Sequence, residues 1–177
     1  MPDIVAATVQ AYVDVGLSSA TTAEQGRALE DLICYVLGQV PGVAITHRNV
    51  LNAFDTEEID VAVWNDGAAD GFVFLPNIIL VECKNWSTRV GSVELNWFDA
   101  KLRNRGLTFG ILVTTLGITG QAADLTAAHA VVAAALRDGR RLIVLTADEL
   151  VAVGDTQGLV KLIKTKLCDL AVKGTIG

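Results

Sequence analysis

Ile78-Ile79-Leu80-Val81-Glu82-Cys83-Lys84-Asn85-Trp86 runs from four consecutive apolar residues into an acid, a thiol and a base, and then turns polar. Pro76-Asn77 on one side and Asn85 on the other bound the apolar run, which reads as a strand buried on both faces. With a side-chain period of two, Ile78, Leu80, Glu82 and Lys84 share one face, and Ile79, Val81 and Cys83 share the other. A carboxylate and an ammonium at the end of such a strand cost several kcal/mol each unless something pairs them. A Glu82–Lys84 ion pair at the sheet edge is the plain explanation. A catalytic explanation requires other residues to converge on the same place.

The chain of 177 residues is long enough for one domain with a substantial core. Hydrophobic residues make up 51% and charged residues 19%, a globular balance. No apolar run reaches the ~18 residues of a membrane span, and Met1-Pro2-Asp3 lacks the basic start of a signal peptide. Cys34, Cys83 and Cys168 are far apart, odd in number and in apolar settings, so buried reduced thiols and a cytoplasmic location are expected. The net charge of −6 argues against a protein that coats nucleic acid. Between Glu82 and Arg105, however, five basic residues face three acidic ones, a local excess of two.

In chain order the expected elements are α-β-β-β-α-β-α-β, followed by a helical extension. Residues 1–19 hold a packing helix using Ile4, Val5, Val9, Val13 and Val15. A second helix runs from about Thr22 to Leu37, capped at Thr21 or Thr22 with Glu24 or Gln25, and stopped by Gly38 in a left-handed cap. Its stripe is Leu29, Leu32, Ile33, Val36 and Leu37, and Glu30 lies on or beside it. Strands follow at 43–48, 57–64 and 78–84. A helix capped by Ser92 has Val93, Trp97, Ala100 and Leu102 or Leu107 as its apolar side and ends at Gly106. A strand at 109–114, an Ala-rich helix at about 121–137 and a strand at 141–146 complete the core. Residues 147–177 form a C-terminal helical extension whose Lys161, Lys164 and Lys166 read as a solvated face.

This order brings three carboxylates and a lysine within reach of one another: Glu30 on a helix, Asp60 on the second strand, Glu82 and Lys84 on the third. Antiparallel pairing of the second and third strands sets Asp60 beside Glu82, on the face expected to lie toward the Glu30 helix. Two carboxylates that close need a shared proton or a cation. Oxygen donors of this kind suit Mg²⁺ or Mn²⁺. Lys84, pointing the same way, would orient an attacking water and neutralise charge growing on a phosphoryl oxygen.

Gly26-Arg27-Ala28-Leu29-Glu30, Glu58-Ile59-Asp60 and Val81-Glu82-Cys83-Lys84-Asn85-Trp86 together resemble the PD-(D/E)xK nuclease superfamily, in particular restriction-endonuclease-like domains of the Mrr type. Ile59 stands where the motif's name has proline, and Glu82 stands where many Mrr-type sequences carry Gln. The resemblance covers about residues 22–146 and implies an α/β fold with an αβββαβ core, a central mixed sheet flanked by helices. It implies Asp60, Glu82 and the Cys83 backbone carbonyl as metal ligands, Lys84 as the catalytic lysine and Glu30 as the acid of the first core helix. The activity implied is metal-dependent endonucleolytic hydrolysis of DNA with Mg²⁺ or Mn²⁺, often by a homodimer, with no small-molecule cofactor and no membrane. Two rivals are a catalytically silent nuclease-fold domain that binds DNA or a protein, and a structure-specific repair or junction nuclease. Asn96 and Trp97 lie where such proteins often place residues near the scissile strand, although Trp97 at helical spacing reads first as core. Trp86 is open between stacking on a base and capping the core.

Overall fold

The computed structural model describes residues 3–53, 56–84, 89–118 and 122–174. Its elements are α1 (Ala6–Ser18), α2 (Thr22–Gly38), β1 (Val43–Leu51), β2 (Glu58–Asn65), β3 (Ile78–Lys84), α3 (Ser92–Asn104), β4 (Phe109–Thr114), α4 (Ala122–Arg137), β5 (Arg141–Thr146), α5 (Ala147–Ala152) and α6 (Thr156–Lys173). The strands form one sheet in the order β1-β2-β3-β4-β5. The first two pairings are antiparallel and the last two parallel, so the sheet is mixed as expected. The two parallel pairings are joined through α3 and α4, the helical crossovers that parallel neighbours require.

Burial follows from sequence in the central strands. Every residue of β4 is buried, and β3 is buried from Ile79 to Glu82. Strand β1, by contrast, is a mostly exposed edge and extends further than its apolar content foretold, to Leu51. Between β2 and β3 the chain is gathered by buried Asn65, whose Nδ2 donates to the carbonyls of Phe72 and Leu75 at 2.9 and 3.2 Å. These bonds satisfy loop backbone that would otherwise be stranded inside.

Helix ends show where local chemistry sufficed. Thr21 Oγ1 accepts from the Glu24 amide and Glu24 Oε2 accepts from the Thr21 amide, at 3.2 Å each, a complete capping box. Gly38 departs from expectation. It is still helical, Gln39 follows in right-handed geometry, and the left-handed turn falls at Gly42 (φ 73°). Gly91, not Ser92, precedes the first turn of α3, and its amide donates to Glu94 Oε2 at 2.9 Å.

Helix α3 corrects the expected apolar stripe. Leu95, Phe98 and Leu102 are buried, whereas Val93 and Trp97 are 61% and 64% exposed. The stripe settles over Gly110 of β4, where a Cβ would stand 2.6 Å from Phe98 Cζ. Asp99 on the same helix is buried and takes a two-pronged hydrogen bond from Arg140, at 2.7 and 3.0 Å. That ion pair ties α3 to the α4–β5 turn. In the C-terminal helix Lys166 is buried and donates to Glu149 at 2.6 Å, which corrects its assignment to a solvated face. Val5 and Val15 of the N-terminal segment and Cys168 of α6 are exposed, again against expectation. Asn85 and Trp86 lie outside the described residues.

Candidate active site

The register Val61–Val81, Ala62–Leu80 and Val63–Ile79 fixes which side chains of β2 and β3 share a face. Asp60 and Glu82 come one step beyond Val61 and Val81, at the end of the sheet where β3 finishes. There the ladder stops. The Cys83 amide donates instead to Oδ2 of Asp60 at 2.7 Å, so a side chain replaces a strand as the acceptor. In open α/β sheets this carboxyl end of the parallel strands is where ligands bind.

Leu80 pairs with Gly110, which faces Phe98 and Leu102, so the even-numbered face of β3 is turned to α3. The helix expected on that face, α2, covers the opposite one. The α2 side instead receives Cys83, whose thiol burial pushes well above its ordinary value, with the charges of Asp60 and Glu30 adding to the effect. Glu30 is buried, but its partners are Asn49, which donates at 2.7 Å, and Arg48 at 3.6 Å, both on β1. The structure therefore brings Asp60, Glu82, Cys83 and Lys84 together and engages Glu30 with β1.

Both oxygens of the Glu82 carboxylate carry a lysine. Lys84 Nζ lies 2.8 Å from Oε1, and Lys101 Nζ lies 2.6 Å from Oε2. The Glu82 side chain is 5% exposed, that of Lys101 11% and that of Lys84 35%. Burial alone would lower the pKa of Lys84, but the carboxylates of Glu82 and Asp60 outweigh it and raise the value, so Lys84 is an ammonium at neutral pH. Asp60 is pushed the other way from an ordinary acid: burial first, and then the charge of Glu82, lift its carboxyl to about 6. The Cys83 amide, Lys101 and Lys84 restrain that rise.

Lys101 was not singled out from sequence. Its signal was present, because it lies one residue before Leu102 and three after Phe98, at the margin of the stripe Leu95-Phe98-Leu102. The local basic excess is also less free than its count implies. Arg105 donates to Glu57 at 2.6 Å and Arg89 to the Ile118 carbonyl at 3.3 Å.

Residues 25–146 match the family model described as restriction endonuclease, of Mrr catalytic type. The chain belongs to the Mrr-type restriction endonuclease family. Among curated relatives, the type IV methyl-directed restriction enzyme EcoKMrr of Escherichia coli (strain K12) is 35% identical over 92 residues, spanning 50% of this chain and 30% of that enzyme. Among solved structures, a protein of unknown function, AF1548, shares 18% identity over 82% of this chain and 76% of its own, with a TM-score of 0.38.

Membership makes this a restriction-endonuclease-like domain. Domains of this family generally use divalent metal ions. No group of three or more His, Cys, Asp and Glu side chains able to hold a metal occurs among the described residues. The fit thus rests on two carboxylates, Asp60 and Glu82, close enough for one to raise the other's pKa. Two carboxylates, with water and substrate phosphate completing the shell, are the usual provision for Mg²⁺. The donor set fits a hard divalent ion. Among the described residues no helix is long and apolar enough to cross a membrane.

Proposed function

We propose that this domain hydrolyses DNA phosphodiester bonds with Mg²⁺ or Mn²⁺ held by Asp60, Glu82 and the Cys83 carbonyl. The observation that supports this most is the single carboxylate, Glu82, set between two ammoniums and beside an acid whose pKa is raised to about 6. When bound, the ion supplies Lewis acidity toward a phosphoryl oxygen and lowers the pKa of water. Lys84 contributes a fixed positive charge at the strand end, where charge develops on the phosphoryl group. Because it remains protonated, it stabilises that charge and is not the base. The Cys83–Asp60 bond holds Asp60 in place without spending both of its oxygens. Glu30 acts on the site indirectly, by holding Asn49 and Arg48 of β1 against α2.

The test is incubation with linear, circular, nicked and branched DNA, with Mg²⁺, with Mn²⁺ and with chelator. Methylated duplex belongs in the panel because the Escherichia coli relative is named a methyl-directed enzyme. Metal-dependent cleavage of at least one substrate is expected. No cleavage of any substrate in either metal overturns the hydrolytic reading. It would favour a silent binding domain, in which the Lys84–Glu82–Lys101 cluster is a finished structural ion pair.

A further inference from the structure

We infer that Lys101 is the resident cation of this site: it occupies on Glu82 the place a divalent ion would take, and metal binding must displace it. The inference rests on the metal site proposed above and concerns how that site is gated.

Three observations carry it. Lys84 and Lys101 hold Glu82, one oxygen each, so a divalent ion placed on either oxygen would meet an ammonium already bonded there. The two lysines are not equivalent. Lys84 sits on the last residue of β3 with a side chain 35% exposed, and can reach solvent. Lys101 is 11% exposed, and its backbone is pinned by buried neighbours Phe98, Asp99 and Leu102 and by the Arg140–Asp99 pair. Its side chain alone must yield. Finally, the charge of Lys101 acts on Asp60 and on Glu57 as well as on Glu82. It therefore compensates the acidic pair in the way a metal would, and Glu57, already bonded to Arg105, offers an alternative acceptor once Glu82 is taken.

An ammonium and a divalent ion on one carboxylate repel strongly at low effective dielectric. Lys101 is thus a positioning residue. It keeps Glu82 aligned and neutralised without metal, and it weakens metal affinity until its side chain moves.

Calorimetric titration of Mn²⁺ into the full chain, without DNA, tests this in wild type, Lys101→Gln and Lys101→Arg. Gln keeps a donor for Glu82 and removes the charge, so Lys101→Gln is expected to bind Mn²⁺ at least about tenfold more tightly. Lys101→Arg is expected to bind no better than wild type. A purely structural lysine would lower the melting temperature without raising affinity. Equal or weaker binding by Lys101→Gln, with wild type binding one ion, overturns the gating role and leaves the metal site standing. No binding by either protein overturns both. Lysine-selective NMR of wild type under Mg²⁺ titration removes any dependence on how the variants fold. The Lys101 ammonium signal is expected to shift as metal saturates, and an unchanged signal at saturation overturns the proposal.

Discussion

The Cys83 amide donates to Oδ2 of Asp60 at 2.7 Å, just past the last paired residues of β2 and β3. A strand hydrogen bond is exchanged there for a side-chain one. The exchange keeps the backbone satisfied while the sheet ends in a carboxylate, and it constrains what each substitution at the site should do.

Asp60→Asn should stabilise the metal-free protein at neutral pH, since the amide oxygen can still accept from Cys83 while the buried charge is gone. The folded pKa of Asp60, about 6, exceeds its ordinary 3.8. The folded state therefore holds more protons than the unfolded chain between those values, and stability falls as pH rises through that window. Asp60→Asn should gain up to ~3 kcal/mol above pH 6 and nothing below about pH 4. It should also lose any stabilisation by Mn²⁺. Thermal melts across pH, with and without metal, measure both. A metal response identical to wild type would remove Asp60 from the site.

Lys84→Ala separates chemistry from structure more cleanly than the sequence alone allowed. Glu82 keeps Lys101 when Lys84 is removed, and the Lys84 side chain is 35% exposed. The stability loss should stay within ~1 kcal/mol. Cleavage should fall at least ~10²-fold, the scale for one preorganised electrostatic group. Melting temperature and cleavage rate are measured on the same preparation. A folded Lys84→Ala protein that cuts at the wild-type rate sinks the catalytic assignment.

Cys83 should be chemically quiet. Its thiol is raised well above the ordinary value, chiefly by burial, whereas Cys168 is exposed. A thiol reagent should modify Cys168 much faster than Cys83 in the folded protein. Cys83→Val retains the amide that holds Asp60 and should keep cleavage near wild type. Rapid labelling of Cys83, read by peptide mass analysis, would contradict the assigned facing of β3.

Gly110→Ala should destabilise by ~1–3 kcal/mol, because its Cβ would stand 2.6 Å from Phe98 Cζ and 2.9 Å from Leu102 Cδ1. Lifting α3 would also draw Lys101 off Glu82. Denaturant melts test the first effect. An unchanged midpoint would show that α3 is not seated on β4.

The sequence alone determined the central strands and their internal facing. Strands β3, β4 and β5 are centred on their apolar runs, because burial on both faces leaves no room for polar residues until the strand ends. The period of two then placed Asp60, Glu82 and Lys84 on one face, and the Thr21–Glu24 box fixed a helix start by contacts three residues apart. Only the tertiary structure decided which helix covers that face. Two stripes at helical spacing compete on α3, Val93-Trp97 and Leu95-Phe98-Leu102, and periodicity is blind to the choice. A bare Gly110 on a neighbouring strand settles it by making room for Phe98 and Leu102. Lys101 follows from that seating. Its charge reaches a carboxylate 19 residues away in the chain, a pairing that exists only once helix and sheet are packed.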